Sequence, residues 1–183
     1  PPQRAEVRST DSEHRRRQAG SRRPTVVPWL VAATSLVAAI VAWWPGAAPD
    51  PQAMLTERRA ALITAGARPV SWSATGDVTA ASASGDVVWD DASQEGYMRI
   101  VMLQSNDPRA FQYQLWIFDA GRDARYPVDG GVFDMPPASA DVIVPIRARV
   151  PVGSATMFAI TVERPGGVVV SDRERIVLIA EFG

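Results

Sequence analysis

The feature that most constrains this chain is a run of nineteen residues without a charge, Val26 to Trp44, VVPWLVAATSLVAAIVAWW. As a helix rising about 1.5 Å per residue it would be about 28 Å long, matching the hydrocarbon thickness of a bilayer. Pro28 falls in the first turn, where a missing N–H costs little, and Pro45-Gly46 stops a helix at the far end. Trp29 near one end and Trp43 and Trp44 at the other take the positions of interfacial aromatic belts. Residues 26–44 therefore read as a single transmembrane helix, with the lipid bilayer as partner.

Charge gives the run a direction. Residues 1–23 hold seven Arg against Glu6, Asp11 and Glu13, a net of +4, whereas residues 70–183 hold nine Arg against fifteen acids, a net of −6. Arg15, Arg16, Arg17, Arg22 and Arg23 precede the run, and the first charge after it is Asp50. The positive-inside rule puts the N-terminus in the cytoplasm and everything after Trp44 outside the plasma (inner) membrane, in a single-pass topology. The acidic outer part has no basic patch, which argues against direct nucleic-acid binding. A cleavable export signal is the competing reading, with Gly46-Ala47-Ala48 as the cleavage segment and Ser21-Arg22-Arg23 resembling the start of a twin-arginine signal. The run is longer than an ordinary signal core and bulky Trp flanks the cleavage segment, which favours the anchor. Both readings leave the C-terminal part extracytoplasmic.

Four segments follow. Residues 1–25 lack apolar periodicity and read as a disordered basic cytoplasmic tail. After the transmembrane helix, residues 45–69 read as a Pro-rich linker and stalk helix. Gln52 to Gly66 has helix-forming composition, with apolar positions 54, 55, 61, 62 and 63 on one side, Glu57, Arg58 and Arg59 off it, and Gly66 as the stop. This helix is expected to pack on the domain that follows. The stalk between Pro45 and Pro69 is also the expected region of proteolytic access.

From Val70 to Gly183 the period changes to short runs rich in Val, Ile, Trp, Tyr, Phe and Thr between Gly, Pro, Asp and Ser clusters. Strands are predicted at 70–75, 86–89, 97–104, 112–119, 131–134, 142–146, 156–163 and 176–180. The fold class is all-β, a small antiparallel β-sandwich of about seven or eight strands. In the fourth run, Tyr113, Leu115 and Ile117 share one face, while the other passes from Gln112 and Gln114 to Trp116 and Phe118, as in a central strand covered on both sides.

The inventory narrows the chemistry. There is no Cys, and His14 is the one histidine. That removes disulfides, a thiolate nucleophile and cysteine zinc sites. Ser171-Asp172 has no histidine in its domain to act as base. Asp119, Asp123, Asp129 and Asp134 could be offered as calcium ligands, but their spacing is not that of an EF-hand, and Arg122 and Arg125 lie among them as partners. Trp72, Trp89, Tyr97 and Trp116 could line a sugar-binding face, although at strand positions core is the expected role. No carboxylate pair stands out for glycoside hydrolysis. No catalytic, cofactor-binding or metal-ligating residue is assigned, and the chain is not expected to be an enzyme.

The ordered series Tyr113-Gln114-Leu115-Trp116, Gly131-Val132-Phe133, Phe158-Ala159-Ile160-Thr161-Val162-Glu163 and Pro165-Gly166-Gly167 closely resembles the C-terminal domain of the anti-sigma-K factor RskA family, over about residues 70–181. The resemblance implies a membrane-anchored anti-sigma factor. Such a protein sequesters an extracytoplasmic-function sigma factor and is relieved by regulated proteolysis, through site-1-type and intramembrane proteases. The sigma-binding helical domain of such proteins does not fit into the 23 Arg-rich residues before the apolar run, so it is expected upstream of Pro1. A membrane-tethered binding or scaffolding module without a sigma-binding arm is the alternative. The charged segment Ser171 to Leu178 departs from the family pattern, in which Pro and Thr tend to precede the last strand.

Overall fold

A computed structural model describes residues 50–137 and 141–182. Among these, no helix is long and apolar enough to cross a membrane. The run Val26–Trp44 and the basic tail before it lie outside the described residues.

The described chain forms one α-helix, α1 (Pro51–Thr64), a short 3-10 helix (Val78–Ala80) and nine strands: β1 (Val70–Ser71), β2 (Ser73–Ala74), β3 (Ser84–Asp90), β4 (Glu95–Val101), β5 (Gln112–Asp119), β6 (Val128–Phe133), β7 (Asp141–Pro145), β8 (Ala155–Glu163) and β9 (Ile176–Glu181). They assemble into two antiparallel sheets, ordered β1-β3-β4-β7 and β2-β9-β8-β5-β6. The all-β reading holds, and β5 has the predicted bounds.

The remaining predicted strands are present with ends shifted by up to three residues, β6 for example beginning at Val128 rather than Gly131, and two of them differ for a clear local reason. Residues 70–75, read as one strand, divide at Trp72. Val70 and Ser71 pair with β3 in the first sheet, Ser73 and Ala74 pair with β9 in the second, and the Trp72 indole is buried in the core between. Strand β4 ends at Val101 rather than Gln104, because Met102 adopts φ 58° and turns the chain. Leu103 then drops into the core, and the Gln104 N–H donates to the Thr79 carbonyl at 3.1 Å.

Alternation builds the shared core. Val87, Trp89, Met98 and Ile100 of one sheet meet Tyr113, Leu115, Ile117, Phe158, Ile160, Leu178 and Ala180 of the other. The Trp89 and Phe158 rings meet across the sheets with centroids 6.1 Å apart. Burying one such side chain contributes about 1.5–3 kcal/mol, and Tyr113 satisfies its hydroxyl by donating to the Gln104 carbonyl at 2.8 Å.

Both outer faces are covered as well. On the β1-β3-β4-β7 sheet, Val88, Tyr97 and Ile143 are buried outside the shared core, and α1 lies against β3, β4 and β7. On the other sheet, Gln114, Trp116, Thr161 and Glu163 are buried, and the segment from Arg164 to Arg175 folds back over them. Glutamine amides act as staples in three places. Gln52, Gln94 and Gln114 each donate to a main-chain carbonyl and accept from the N–H of the same residue, Ile143, Val152 and Val168 respectively.

Candidate functional site

Helix α1 opens the described part of the chain, and its attachment to the domain combines half-covered apolar side chains with one ion pair and one glutamine amide. Asp50 caps its start by accepting from the Gln52 N–H at 3.0 Å, with Pro51 at the first helical position. Gly66, at φ 115°, ends it in a Schellman motif: Ala67 N–H donates to Leu62 C=O at 3.1 Å and Gly66 N–H to Ile63 C=O at 3.0 Å. This is the stop expected from sequence.

The face turned to the sheet differs from the expected one. Leu55, Arg59, Leu62 and Ile63 are the half-covered positions, at a spacing of four, three and one, whereas Met54 and Ala61 are exposed. Arg59, read as off the packing side, lies on it. Its guanidinium pairs with Asp86 of β3, with side chains only 15% and 18% exposed. No residue of α1 is fully buried. A cleft of about 510 Å³ lined by Leu62, Arg68, Trp89 and Phe182, among others, runs beside its C-terminal end. Near the middle, Tyr97 donates to Glu95; burial, followed by that carboxylate, raises the phenol above its ordinary 10.0. Held by an ion pair, one glutamine staple and the half-covered Leu55, Leu62 and Ile63, and without a buried side chain, α1 has few of the buried contacts that resist local opening.

The opposite face is tied down more firmly. Trp116 Nε1–H donates to Thr161 Oγ1 at 2.9 Å, Thr161 donates to Glu163 Oε1 at 2.7 Å, and Ser171 donates to the same oxygen at 2.6 Å. The Ser171 hydroxyl thus serves as a clamp on the covering segment. Gly167, at φ 73°, allows that segment to approach: a Cβ there would stand 2.5 Å from Val132 Cγ2 and 2.8 Å from Gln114 Oε1. Arg175 closes the segment on Asp77 through contacts of 3.0 and 3.1 Å. The Arg175 guanidinium, with the Thr79 hydroxyl and N–H, draws the Asp77 carboxyl down from 3.8 to about 2 against its partial burial.

The four aspartates considered for calcium do not converge. Asp119 accepts from the N–H groups of Gly121, Ser154 and Gly153, and these bonds, with Gly153 foremost, lower its pKa. Asp123 pairs with Arg125, Asp129 with Gln114, Gly131 and Arg149, and Asp134 with Asn106 and Gln112. Among the described residues, no group of three or more acids or histidines could hold a metal ion. Trp72, Trp89, Tyr97 and Trp116 are buried, as the core reading expects.

The sequence pattern that defines the anti-sigma-K factor RskA C-terminal family matches residues 29–172. The chain belongs to this family. No curated protein and no solved structure matches it. The RskA-family match opens inside the apolar run, at Trp29, and takes in α1 and every strand up to β8. It closes at Asp172, within the covering segment and two residues into the charged stretch Ser171 to Leu178. In this member of the RskA family, Arg173 and Arg175 of that stretch have local duties: Arg173 donates to the Ala124 carbonyl and lies over the Phe118 ring, while Arg175 holds Asp77.

Proposed function

We propose that this chain is the anchor and extracytoplasmic part of a membrane-anchored anti-sigma factor. Residues 26–44 span the inner membrane, residues 1–25 lie in the cytoplasm, and the β-domain lies outside. The sigma factor is bound through a region upstream of Pro1. The observation that carries this reading is the family match, whose span includes most of the apolar run together with the β-domain up to β8. The charge asymmetry across the run, +4 before it and −6 in the β-domain, supports the orientation.

The geometry suggests how the outer domain regulates. While α1 is docked, its backbone is helical and laid against a sheet, a poor substrate for a protease that needs extended chain. Undocking breaks the Gln52 staple and the Arg59–Asp86 pair and bares the stalk next to the membrane. Cleavage there by a site-1-type protease would admit an intramembrane protease and release the sigma factor.

The test is to express the full-length protein with its cognate sigma-dependent reporter, with and without residues 70–183, and to sequence the N-terminus of any released outer fragment. A rise in reporter activity on deletion, with a released fragment starting between Pro45 and Pro69, is the expected result. An unchanged reporter in both forms would favour the tethered binding module instead.

A further inference from the structure

Strand β7 is the free edge of its sheet, and the open side of the sandwich lies between it and β6, the edge of the other sheet. The Ile143 N–H and carbonyl are both bonded to the Gln52 amide, on the side away from β4. That edge already accepts a planar amide as a neighbouring strand would offer one. Beside it, a slot of about 180 Å³ runs between the two edges, with apolar walls from Met98, Val132, Phe133, Val144 and Pro145, and with Arg147 at its mouth. A shallower opening of about 520 Å³ continues from it and shares Val132 and Arg147. The chain leaving β7 is fixed to β6 by Arg147 N–H to Gly130 C=O and Arg149 N–H to Asp129 C=O, both 2.9 Å, so the slot has a firm end.

Arg147 sets the chemistry of the occupant. Arg149 has Asp129 at 3.4 Å, but among the described residues no carboxylate lies within ion-pair distance of the exposed Arg147. The domain's acids repel an acidic ligand in general, yet at physiological salt that repulsion is screened beyond about 8 Å. The local guanidinium therefore decides where a carboxylate settles.

We propose that the slot and the adjoining edge of β7 bind an extended peptide segment, one apolar side chain in the slot and a carboxylate on Arg147, in exchange for the Gln52 amide on Ile143. The segment supplies to Ile143 the same donor and acceptor that Gln52 supplies. The slot admits a single large apolar side chain, and Pro145, which has no N–H, limits pairing to a short stretch of edge. Binding removes one of the two ties of α1, so the site would be the input of the regulatory domain; this consequence rests on the anti-sigma reading, whereas the binding does not.

The test uses the full chain in lipid nanodiscs, panned against a phage-displayed library of random dodecapeptides, with empty nanodiscs as counter-selection. The expected result is enrichment of sequences with an apolar residue close to Asp or Glu. A synthetic peptide from that set should bind Arg147→Glu about tenfold or more weakly, a loss of about 1.4 kcal/mol or more, and Gln52→Ala more tightly than the parent. If Arg147→Glu does not fold by circular dichroism, Arg147→Gln takes its place. No enrichment, enrichment without acidic residues, affinity indifferent to Arg147, or weaker binding to Gln52→Ala would each overturn the proposal. Neither sigma factor nor protease enters the assay, so failure of the transcriptional reading leaves its outcome unaffected.

Discussion

The side-chain amide of Gln52 pairs with both main-chain polar groups of Ile143, donating to the carbonyl at 3.2 Å and accepting from the N–H at 2.9 Å. One residue in the first turn of α1 thereby protects an exposed sheet edge and fixes the helix to it. Replacing Gln52 with Ala should cost about 1 kcal/mol. The clearer readout is local: amide exchange at Ile143 should quicken and proteolysis of α1 should accelerate. Unchanged exchange at Ile143 would mean that the staple does not hold in solution.

The second tie is the Arg59–Asp86 pair, whose side chains are mostly covered. Removing either partner leaves the other charge poorly solvated, so each single alanine variant should destabilise by about 1–3 kcal/mol. The double variant should be less destabilised than the sum of the singles, by at least about 0.5 kcal/mol in a double-mutant cycle read by urea unfolding. Strict additivity would show that the pair contributes no coupling.

Acid should act on the covering segment through Asp77. Its carboxyl lies at about 2 in the folded protein against an ordinary 3.8, so the folded state holds it ionised where the unfolded chain protonates it. The resulting stabilisation is complete above about pH 5 and is lost as the pH falls through about 2. Asp77→Asn should therefore be less stable than the parent by a constant amount near neutrality, with the gap closing between about pH 4 and pH 2. Urea unfolding at a series of pH values measures it; a gap that stays constant to pH 2 would count against the Arg175 contact.

Thr161 stands between the Trp116 indole and the Glu163 carboxylate, all three buried. Thr161→Val keeps the shape and removes both hydrogen bonds, at a cost of about 1–3 kcal/mol. Thr161→Ser, which keeps the hydroxyl, should recover most of it. A Thr161→Ser loss as large as that of Thr161→Val would show that the methyl contact contributes as much as the two hydrogen bonds, against the hydroxyl being the main tie.

Gly167→Ala and Gly166→Ala form a matched pair. Both sites have positive φ, at 73° and 86°, but an added Cβ meets Val132 and Gln114 at the first and nothing within 4 Å at the second. The Gly166 variant should lose about 1 kcal/mol from backbone strain alone, and the Gly167 variant clearly more, with the Gln114–Val168 staple broken. A red shift of tryptophan emission confined to Gly167→Ala would report the opened cover.

Alternation made the core face of β5, Tyr113, Leu115 and Ile117, legible in advance, because period-two burial depends only on neighbouring residues. The same pattern gave Gln112 and Gln114 as polar positions on β5 but could not say that Gln114 is buried, since its cover comes from Val168, 54 positions away. The glutamine staples were missed for the same reason: an amide has no periodic signature, and its partner is fixed by tertiary structure. Arg59 was placed on the wrong side of α1 because an apolar count assigns charge to solvent, whereas Asp86 draws it inward. The break at Trp72 was hidden within an unbroken run of strand-forming residues. Of the slot, only the Gly131-Val132-Phe133 wall was marked in the sequence, as a family motif rather than a surface.

That break has a mechanical consequence. Just after the stalk, five residues from Val70 to Ala74 are hydrogen-bonded first to one sheet and then to the other. Tension applied from the N-terminal side would therefore reach both layers of the sandwich through rungs only two residues long. Those rungs would yield before the longer strands, drawing the Trp72 indole out of the core, so the domain has a built-in weak seam at the point where a pull along the stalk arrives.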